Sequence, residues 1–232
     1  MSTKEKCVRG EGAETHCVSI YTDGAAAPTN PGPGGYGVVL LSSGRGPIEI
    51  SGGFWRTTNN RMELTAAIVG LEILAECTRV TVFSDSAYLV NSMEKGWARS
   101  WQESNWSRSK GRTVPNSDLW IRLLRLGLIH DVTFVWIKGH ARDRYNERCD
   151  ALAAQGARKP DRAPDKGFEN PESVEIVRAG QECPVCWSSV ALKLQVKSRR
   201  KNKTLPESDP RLYCPTCDVK YKIPPESISS SA

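Results

Sequence analysis

Two kinds of apolar pattern alternate along the first two thirds of the chain. Short runs in which apolar and polar residues alternate predict strands, and longer runs with apolar residues three or four apart predict helices. The predicted strands are His16–Thr22, 36–41 (YGVVLL), 47–55 (PIEISGGFW), 79–84 (RVTVFS) and 131–140 (DVTFVWIKGH). The predicted helices are Asn60–Glu76, 86–96 (SAYLVNSMEKG), 116–129 (NSDLWIRLLRLGLI) and Arg144–Arg158.

The order of these elements predicts the fold class. Three strands come first, and the remaining two strands alternate with helices. This order favours an α/β fold with a mixed sheet, in which the leading strands are antiparallel and helices lie on the faces. The turn-rich loop AAAPTNPGPGG at 25–35 separates the first two strands.

Glu63 lies near the start of the helix predicted over Asn60–Glu76. At ~100° per residue it shares a face with small and apolar residues, namely Ala67, Gly70, Leu71 and Leu74. The opposite, water-facing side is predicted to hold Thr65, Glu72 and Glu76. One interpretation is a capping box, in which Asn60 is the N-cap and Glu63 reaches back to its amide. The other is a functional carboxylate, because buried carboxylates are rarely unpaired.

Three aspartates bear on that choice. Asp23 and Asp85 each follow a predicted strand, and Asp150 lies in the last helix. Taken singly, Asp23 fits a turn, Asp85 an N-cap and Asp150 a solvated helix position. Taken together with Glu63, the strand-end aspartates place several carboxylates at one edge of a sheet, where α/β proteins usually hold their sites.

A cluster of carboxylates calls for a cation. Like charges at close range raise each other's pKa unless a positive charge lies between them. Mg²⁺ prefers oxygen ligands and binds alongside substrate phosphates. Two such ions about 3.5–4 Å apart hold the attacking water and the leaving oxygen of a phosphodiester. The pattern therefore favours metal-assisted phosphodiester chemistry.

Composition narrows the class of protein. The chain has 232 residues, of which 39% are hydrophobic and 25% are charged. No apolar run approaches the length of a membrane span, and residues 1–16 contain no secretory signal. We therefore expect a cytoplasmic protein without membrane association. The net charge of +6 favours a polyanionic partner, and residues 183–222 hold nine Lys and Arg against three Asp and Glu.

Changes in local composition along the chain predict its division into domains. The segment 159–180 is rich in proline and charge and has little to bury, so it is interpreted as a linker. The predicted organisation is an N-terminal tail (1–15), a catalytic domain (16–158), the linker (159–180), a small C-terminal domain (181–225) and a C-terminal tail (226–232).

The small domain contains two CPxC units. They supply Cys183, Cys186, Cys214 and Cys217, which is enough to complete a tetrahedral Zn²⁺ site in a zinc ribbon. Disulfides or a redox pair are the alternative, disfavoured in a reducing compartment. The basic residues between the pairs predict an accessory nucleic-acid contact, and docking to a partner protein is the alternative. Cys7, Cys17, Cys77 and Cys149 receive no role.

Four stretches together resemble ribonuclease H of type 1. They are YTDGAAAPTNPGPGGYGVVL, TTNNRMELTAAIVGLEIL, VFSDSAYLV and WIKGHARDRYNERCDALA, and the resemblance covers about residues 17–157. It implies a five-stranded mixed sheet with helices on both faces. It also implies a monomeric enzyme that cuts the RNA strand of RNA/DNA hybrids. The products would carry 5′-phosphate and 3′-hydroxyl ends.

The resemblance also implies roles for particular residues. Two Mg²⁺ ions, replaceable by Mn²⁺, would bind Asp23, Glu63, Asp85 and Asp150, with Glu63 also touching a ribose 2′-hydroxyl. His140 would assist proton movement or release of the cleaved phosphate. The implied substrate contacts are Asn30, Thr58, Asn59, Asn60, Trp97, Trp101 and Trp106. Turn and capping chemistry is the alternative for the asparagines and the threonine, and a local core is the alternative for the tryptophans.

The sequence also departs from the family pattern. Ala87 replaces a glutamine often found after the third carboxylate, and Arg142 replaces a common glycine in the His140 loop. A DNA-cutting relative with the same fold is disfavoured by the unbroken type 1 motifs, and a non-catalytic hybrid-binding module is disfavoured by the intact carboxylates.

Overall fold

The computed structural model describes residues 17–104, 106–108, 113–139, 143–169, 191–196, 208–213 and 220–222. The chain divides into two compact units between Pro171 and Glu172. Within the described residues, no helix combines the length and the apolar character that crossing a membrane requires.

The first unit contains five strands and six helices in its described part. The strands are β1 (Cys17–Ala26), β2 (Gly32–Leu41), β3 (Ile48–Thr57), β4 (Arg79–Ser84) and β5 (Asp131–Trp136). The helices are α1 (Asn59–Glu72), α2 (Ala87–Glu94), α3 (Trp97–Glu103), α4 (Ser117–Ile129), α5 (Arg144–Gly156) and α6 (Lys166–Glu169).

The five strands form one mixed sheet in the order β3-β2-β1-β4-β5. β1, β2 and β3 pair antiparallel, whereas β4 pairs parallel with both β1 and β5. The prediction of an α/β fold with antiparallel leading strands is confirmed. The register also matters for function, because Thr22, Ser84 and Trp136 form the last aligned row of the three parallel strands.

Helices cover both faces of the sheet. On one face, α1 and α4 pack with the sheet into the main apolar core, which includes Ile20, Val38, Leu64, Ile68, Val82, Trp120 and Leu123. On the other face, α5 packs on β1, β2 and β3. Cys149 and Leu152 of α5 bury against Val39 of β2. Cys149, to which the sequence gives no role, is therefore a packed thiol.

Helix α1 differs from its prediction in both of its bounds and in the burial of one of its faces. It begins one residue earlier than Asn60 and ends at Glu72 rather than Glu76. Thr65, predicted to face water, is buried and donates a hydrogen bond of 2.7 Å to the carbonyl of Arg61. The reason is that α4 packs against α1, so the side opposite the sheet meets a second helix instead of solvent.

Arg61 on α1 is the centre of a buried ionic network that the sequence analysis missed. Its side chain is 4% exposed and donates to both carboxylate oxygens of Asp118, at 2.9 and 2.7 Å. It also donates to both oxygens of Asp165, at 2.7 Å each. Asp165 accepts a further hydrogen bond of 2.6 Å from Thr57. The network ties α1 to α4 and to the segment after α5.

That segment, residues 159–169, is called the strap below. The Trp55 amide donates to the Ala163 carbonyl at 3.0 Å, and the Ala163 amide donates to the Gly53 carbonyl at 3.4 Å. The strap thereby covers backbone groups at the outer edge of β3, which an edge strand otherwise leaves unpaired. The sequence analysis read 159–180 as a linker and did not anticipate these contacts.

The second unit contains β6 (Ala191–Val196), β7 (Ser208–Tyr213) and β8 (Lys220–Lys222). They form an antiparallel sheet in that order. Cys183, Cys186, Cys214 and Cys217 lie outside the described residues. In the first unit, Cys17 and Cys149 are free thiols and Cys77 is disulfide-bonded.

Candidate active site

Asp23 and Asp85 lie side by side at one edge of the sheet because of strand register. Thr22 on β1 pairs with Ser84 on β4, and this pair is the last of the parallel ladder. Each aspartate is the next residue along its chain. Asp23 does not end its strand as predicted, because β1 continues to Ala26 through antiparallel pairing with β2.

Glu63 reaches the same edge because α1 lies unusually close to β1. A Cβ atom at Gly24 would come within 2.2 Å of the main-chain carbon of Met62 and within 2.4 Å of the Glu63 nitrogen. Only glycine permits this approach of the helix to the residue after Asp23. The first turn of α1 is therefore held against the strand that carries the first aspartate.

The capping box proposed for Glu63 does not form. Thr58 is the N-cap of α1, and its hydroxyl accepts a hydrogen bond from the Arg61 amide. The Glu63 carboxylate instead accepts a short hydrogen bond from the hydroxyl of Ser86. Glu63 is thus free of a capping role and points toward the residue that follows Asp85.

Ser86 is a site residue that the sequence analysis missed. It is buried, and it is the N-cap of α2, with its hydroxyl accepting from the Leu89 amide at 3.1 Å. The same hydroxyl donates to Glu63, so one oxygen starts a helix and orients a carboxylate. The sequence analysis considered Asp85 as that N-cap. The serine next to it, a preferred N-cap residue, was the signal that was overlooked.

The Asp85 carboxylate is bordered by Gly139, which follows β5, and by Asn146 in the first turn of α5. The side-chain amide of Asn146 lies 3.5 Å from Oδ2 of Asp85. A Cβ atom at Gly139 would lie 2.7 Å from the same oxygen, so glycine leaves the carboxylate accessible. Asn146 is buried, and its own side-chain oxygen has no hydrogen-bond partner among the described residues.

Asp150 completes the group from the opposite face of the sheet. It lies on α5, whose N-cap Asp143 accepts from the amides of Tyr145 and Asn146 at 2.9 and 3.1 Å. Its neighbour Cys149 is fully buried, and Asp150 itself is exposed. The burial of Cys149 fixes the rotation of α5, which sets the direction of Asp150.

The electrostatics show that the four carboxylates act on one another. The pKa of Asp23 is raised to about 7, first by burial, then by the charge of Asp85, and further by Asp150 and Glu63. A hydrogen bond of 2.7 Å from the Gly24 amide opposes this rise. Burial and the charge of Asp85 also raise the pKa of Glu63, although the Ser86 hydrogen bond lowers it.

This donor set fits a hard divalent cation. The charges that act on Asp23 are all negative and all carried by oxygen, which is the ligand type that Mg²⁺ prefers. Among the described residues, no three acidic, His or Cys side chains are already grouped as metal ligands. Like charges at this edge repel one another, and a bound cation would remove that repulsion.

The family model for RNase H matches residues 15–158, which is more than half of the chain. The chain belongs to the ribonuclease H family.

Curated relatives of high similarity carry the same name. A ribonuclease H of Syntrophus aciditrophicus is 54% identical over 65% of this chain and 86% of its own length. A ribonuclease H of Desulforamulus reducens is 54% identical over 62% of this chain and 89% of its own. A ribonuclease HI of Synechocystis is 45% identical over 65% of this chain and 94% of its own. The type 1 family and the enzyme class predicted from the motifs are confirmed.

A solved structure supports the fold. LC9-RNase H1, described as a type 1 RNase H with the type 2 active-site motif, has a TM-score of 0.56 and 27% identity. The alignment covers 62% of this chain and 74% of that chain. The predicted ribonuclease H fold of the first unit is therefore confirmed, while the second unit lies beyond the family match.

The ribonuclease H positions predicted to contact substrate gather beside Glu63. The Asn30 side chain accepts from the Asn59 amide at 3.3 Å, and the Asn59 side chain accepts from the Ala26 amide at 2.6 Å. Asn60 is exposed, and Thr58 caps the helix. These residues therefore make turn and capping contacts. The contacts order the loop after β1 and the start of α1, next to the carboxylates.

The three tryptophans predicted to cradle the DNA strand occupy different environments. Trp97 is 45% exposed, and the Lys95 ammonium lies 5.2 Å from its ring centre. Trp101 is half-buried and packs edge-on against Trp120, and Trp106 is buried in the main core. The local-core alternative therefore describes the surroundings of Trp101 and Trp106, whereas Trp97 presents its ring to solvent.

His140, predicted to assist catalysis, lies outside the described residues, as does Arg142. The described segments end at Gly139 and resume at Asp143. The predicted role of His140 stays a prediction.

Proposed function

We propose that this ribonuclease H is an endonuclease that hydrolyses the RNA strand of RNA/DNA hybrids and leaves 5′-phosphate and 3′-hydroxyl ends. The observation that carries the proposal is the placement of Asp23, Glu63 and Asp85 at one edge of the sheet, where burial and then the charge of Asp85 raise the pKa of Asp23. Four carboxylates at one sheet edge, with their charges uncompensated, suit a substrate that arrives with divalent cations.

The four carboxylates would hold two Mg²⁺ ions, for which Mn²⁺ is a substitute. When bound, such ions stabilise the charge that develops on a phosphodiester and activate water as its nucleophile. Ser86 fixes the carboxylate of Glu63, and Asn146 and Gly139 border that of Asp85. These contacts hold the ligands in place before the reaction, which lowers the cost of assembling the site.

Selection of RNA over DNA depends on the ribose 2′-hydroxyl. Glu63 is proposed to contact this group, with support from Asn30, Asn59 and Asn60 around the start of α1. The proposal is supported by the hydrogen bonds that order this loop beside Glu63. Trp97, exposed next to Lys95, is proposed to lie along the DNA strand. His140 is proposed to move a proton or aid release of the cleaved phosphate.

The second unit is proposed to be a zinc ribbon that binds one Zn²⁺ through Cys183, Cys186, Cys214 and Cys217. Support comes from the two CPxC spacings and from the antiparallel strands β6 to β8. Its proposed role is an accessory contact to nucleic acid. A full chain and a chain ending at Pro171 should then differ in how hybrid affinity depends on salt. Identical salt slopes would favour a protein-docking ribbon instead.

The deciding experiment is a cleavage assay with matched RNA/DNA hybrid, double-stranded RNA and double-stranded DNA. We expect cleavage of the RNA strand of the hybrid in the presence of Mg²⁺, no cleavage with a chelator, and 5′-phosphate products. Cleavage of double-stranded DNA in preference to hybrid would support the DNA-cutting alternative. Binding of hybrid without cleavage under any metal would support the non-catalytic alternative.

A pair of variants connects this activity to the site. Asp85→Asn should abolish hybrid cleavage while hybrid binding largely survives, because it changes a proposed metal ligand without altering side-chain volume. Glu72→Gln is the matched control, because Glu72 is an exposed carboxylate of α1 that pairs with Arg122. Near-normal turnover by Asp85→Asn would contradict the four-carboxylate assignment.

A further inference from the structure

Trp136 stands at the carboxylate edge with 53% of its surface exposed. It is the last residue of β5 and pairs with Ser84 on β4. Its indole Nε1–H donates a hydrogen bond of 3.0 Å to the main-chain carbonyl of Asp85. A large aromatic side chain that remains half exposed gives up burial energy, so its contact with a carboxylate residue calls for an explanation.

We propose that Trp136 is a positioning residue for Asp85. Its indole fixes the main chain of Asp85, so that the carboxylate is already directed toward the metal ions before they bind. This inference deepens the proposed function and rests on it, because it takes Asp85 to be a metal ligand.

The geometry supports this role. Asp85 is the first residue beyond β4, and the strand ladder therefore no longer holds it. The carbonyl of Ser84 accepts from the Ile137 amide at 3.0 Å, and the next carbonyl, that of Asp85, accepts from the Trp136 indole. Two successive carbonyls are thus bonded to two successive residues at the end of β5. The indole hydrogen bond therefore holds the main chain one residue beyond the strand ladder, at Asp85, which carries the carboxylate.

The chemistry of tryptophan suits this position better than other donors. The indole N–H only donates, so it offers no lone pair that would compete for the metal. The ring is neutral, so it does not repel a cation as Lys or Arg would. Its two side-chain torsions cost little entropy when they are fixed. A hydroxyl or amide donor on a shorter side chain would lie closer to β5.

Two residues after Trp136 in the chain, one following β5 and one in α5, lie at the other end of Asp85. Gly139 and Asn146 border its carboxylate, whereas Trp136 contacts its main chain. Residues that orient a metal ligand typically change metal affinity or activity by about 10–100-fold when they are removed. An effect of Trp136 should therefore appear in metal binding itself, without nucleic acid.

The test measures Mn²⁺ binding to the full chain, without nucleic acid, by electron paramagnetic resonance of the free ion. Trp136→Phe should weaken binding about tenfold. Trp55→Phe is the matched control, because Trp55 is 49% exposed and stacks on Arg162 instead of touching a carboxylate residue. In cleavage assays, Trp136→Phe should lower kcat at limiting Mg²⁺. The kcat of the variant should return to normal at high Mg²⁺, and its KM for hybrid should be unchanged.

A second variant separates the hydrogen bond from the shape of the ring. Replacing Trp136 by 3-benzothienylalanine keeps the bicyclic ring and removes the N–H donor. It should reproduce the weaker Mn²⁺ binding, and it decides the question if Trp136→Phe does not fold. Normal Mn²⁺ binding by this variant would overturn the proposal, and so would a raised KM for hybrid with metal binding unchanged.

Asp85→Asn distinguishes this proposal from the proposed function. If Asp85→Asn weakens Mn²⁺ binding and the Trp136 variants do not, only the positioning role is overturned. If Asp85→Asn binds Mn²⁺ as the unaltered protein does, the metal-ligand assignment fails and the positioning role fails with it.

Discussion

Two clusters of charged side chains include residues from the first turns of α1, and they differ in how their buried charges are compensated. Arg61 meets Asp118 and Asp165 in a network of opposite charges. Glu63, two residues later, belongs to a group of like charges with Asp23 and Asp85. The hydrogen bonds of Arg61 outweigh the effect of its burial and raise its pKa, which keeps it charged. Burial and like charges raise the pKa of Asp23 to about 7, which favours its neutral form.

The difference separates a structural cluster from a functional one. In the Arg61 network, each buried charge has its partners within the protein, so the cluster is complete in the free chain. In the carboxylate group the compensating charge must come from outside. Buried charges without partners cost folding energy, and proteins retain them mainly where function requires them. The comparison predicts that mutations in the Arg61 network mainly lower stability, whereas mutations in the carboxylate group mainly lower activity.

The largest effect is expected on catalysis. Asp23→Asn should lower the rate of hybrid cleavage by about a thousandfold or more, because metal-based charge stabilisation contributes several kcal/mol and each ~1.4 kcal/mol is tenfold in rate. Single-turnover kinetics at saturating hybrid measure this directly. A loss of less than about tenfold would mean that the like-charge cluster is not the catalytic centre.

The Arg61 network should respond in stability. Arg61→Met leaves the Asp118 and Asp165 carboxylates without their buried partner, and we expect it to lower the free energy of unfolding by about 3–5 kcal/mol. Urea denaturation measures the change. Arg148→Met is the control, because Arg148 pairs with Glu49 at the surface and its loss should leave the melting temperature nearly unchanged. Equal losses of stability in the two variants would contradict the view that the buried Arg61 network contributes more to stability than the exposed Arg148–Glu49 pair.

Asp23, the aspartate proposed to act in catalysis, should reduce the stability of the metal-free protein. Between its ordinary pKa of 3.8 and about 7, Asp23 binds a proton in the folded state that the unfolded state has released. Metal-free protein should therefore lose stability as the pH rises through this range. Asp23→Asn should be more stable than the unaltered chain at pH 8 by about 2–4 kcal/mol, since one pKa unit corresponds to ~1.4 kcal/mol.

Melting curves from pH 4 to pH 8 in a chelator test this pH dependence. The advantage of Asp23→Asn should be small near pH 4, where Asp23 is protonated in the folded state and partly protonated in the unfolded state. Added Mg²⁺ should stabilise the unaltered chain more than the variant. A variant that is less stable at pH 8 would show that Asp23 is not under repulsion.

Truncation tests whether the strap belongs to the catalytic unit. A chain ending at Pro171 keeps Asp165, whereas a chain ending at Ala163 removes one of the two partners of Arg61. We expect the shorter chain to be less stable by about 1–3 kcal/mol, the cost of leaving charged donors unsatisfied, and the longer chain to cleave hybrid normally. Equal melting temperatures would restore the interpretation of the whole 159–180 segment as a linker.

The smallest effect is expected at the start of α1. Thr58→Ala should cost about 1 kcal/mol, the usual value for a lost N-cap, and Glu63→Gln should cost less because Glu63 does not cap the helix. Activity should show the reverse order, with Glu63→Gln inactive. Thermal melting and turnover of both variants provide the measurements. A larger stability loss in Glu63→Gln would return Glu63 to a capping role.

Local patterns in the sequence were sufficient for the elements and the sheet. The alternation in RVTVFS gives β4 with the predicted bounds, and the order of elements gives the mixed sheet. The small apolar face of α1 correctly put Glu63 on the inner side, although Thr65 was misplaced. A helical period reports which residues avoid water, but it does not distinguish a face covered by another helix from a face in solvent.

The sequence by itself determined the order of elements and, through its motifs, the family, since both depend on residues close together along the chain. The same motifs predict the four carboxylates. Only the tertiary structure decided which distant residues meet. Ser86 lies 23 residues from Glu63, Asn146 lies 61 from Asp85 and Asp165 lies 104 from Arg61. Such contacts depend on strand register and helix packing, which no local period encodes. The same packing buries Asp23 among like charges, and it alone sets the pKa of that carboxyl.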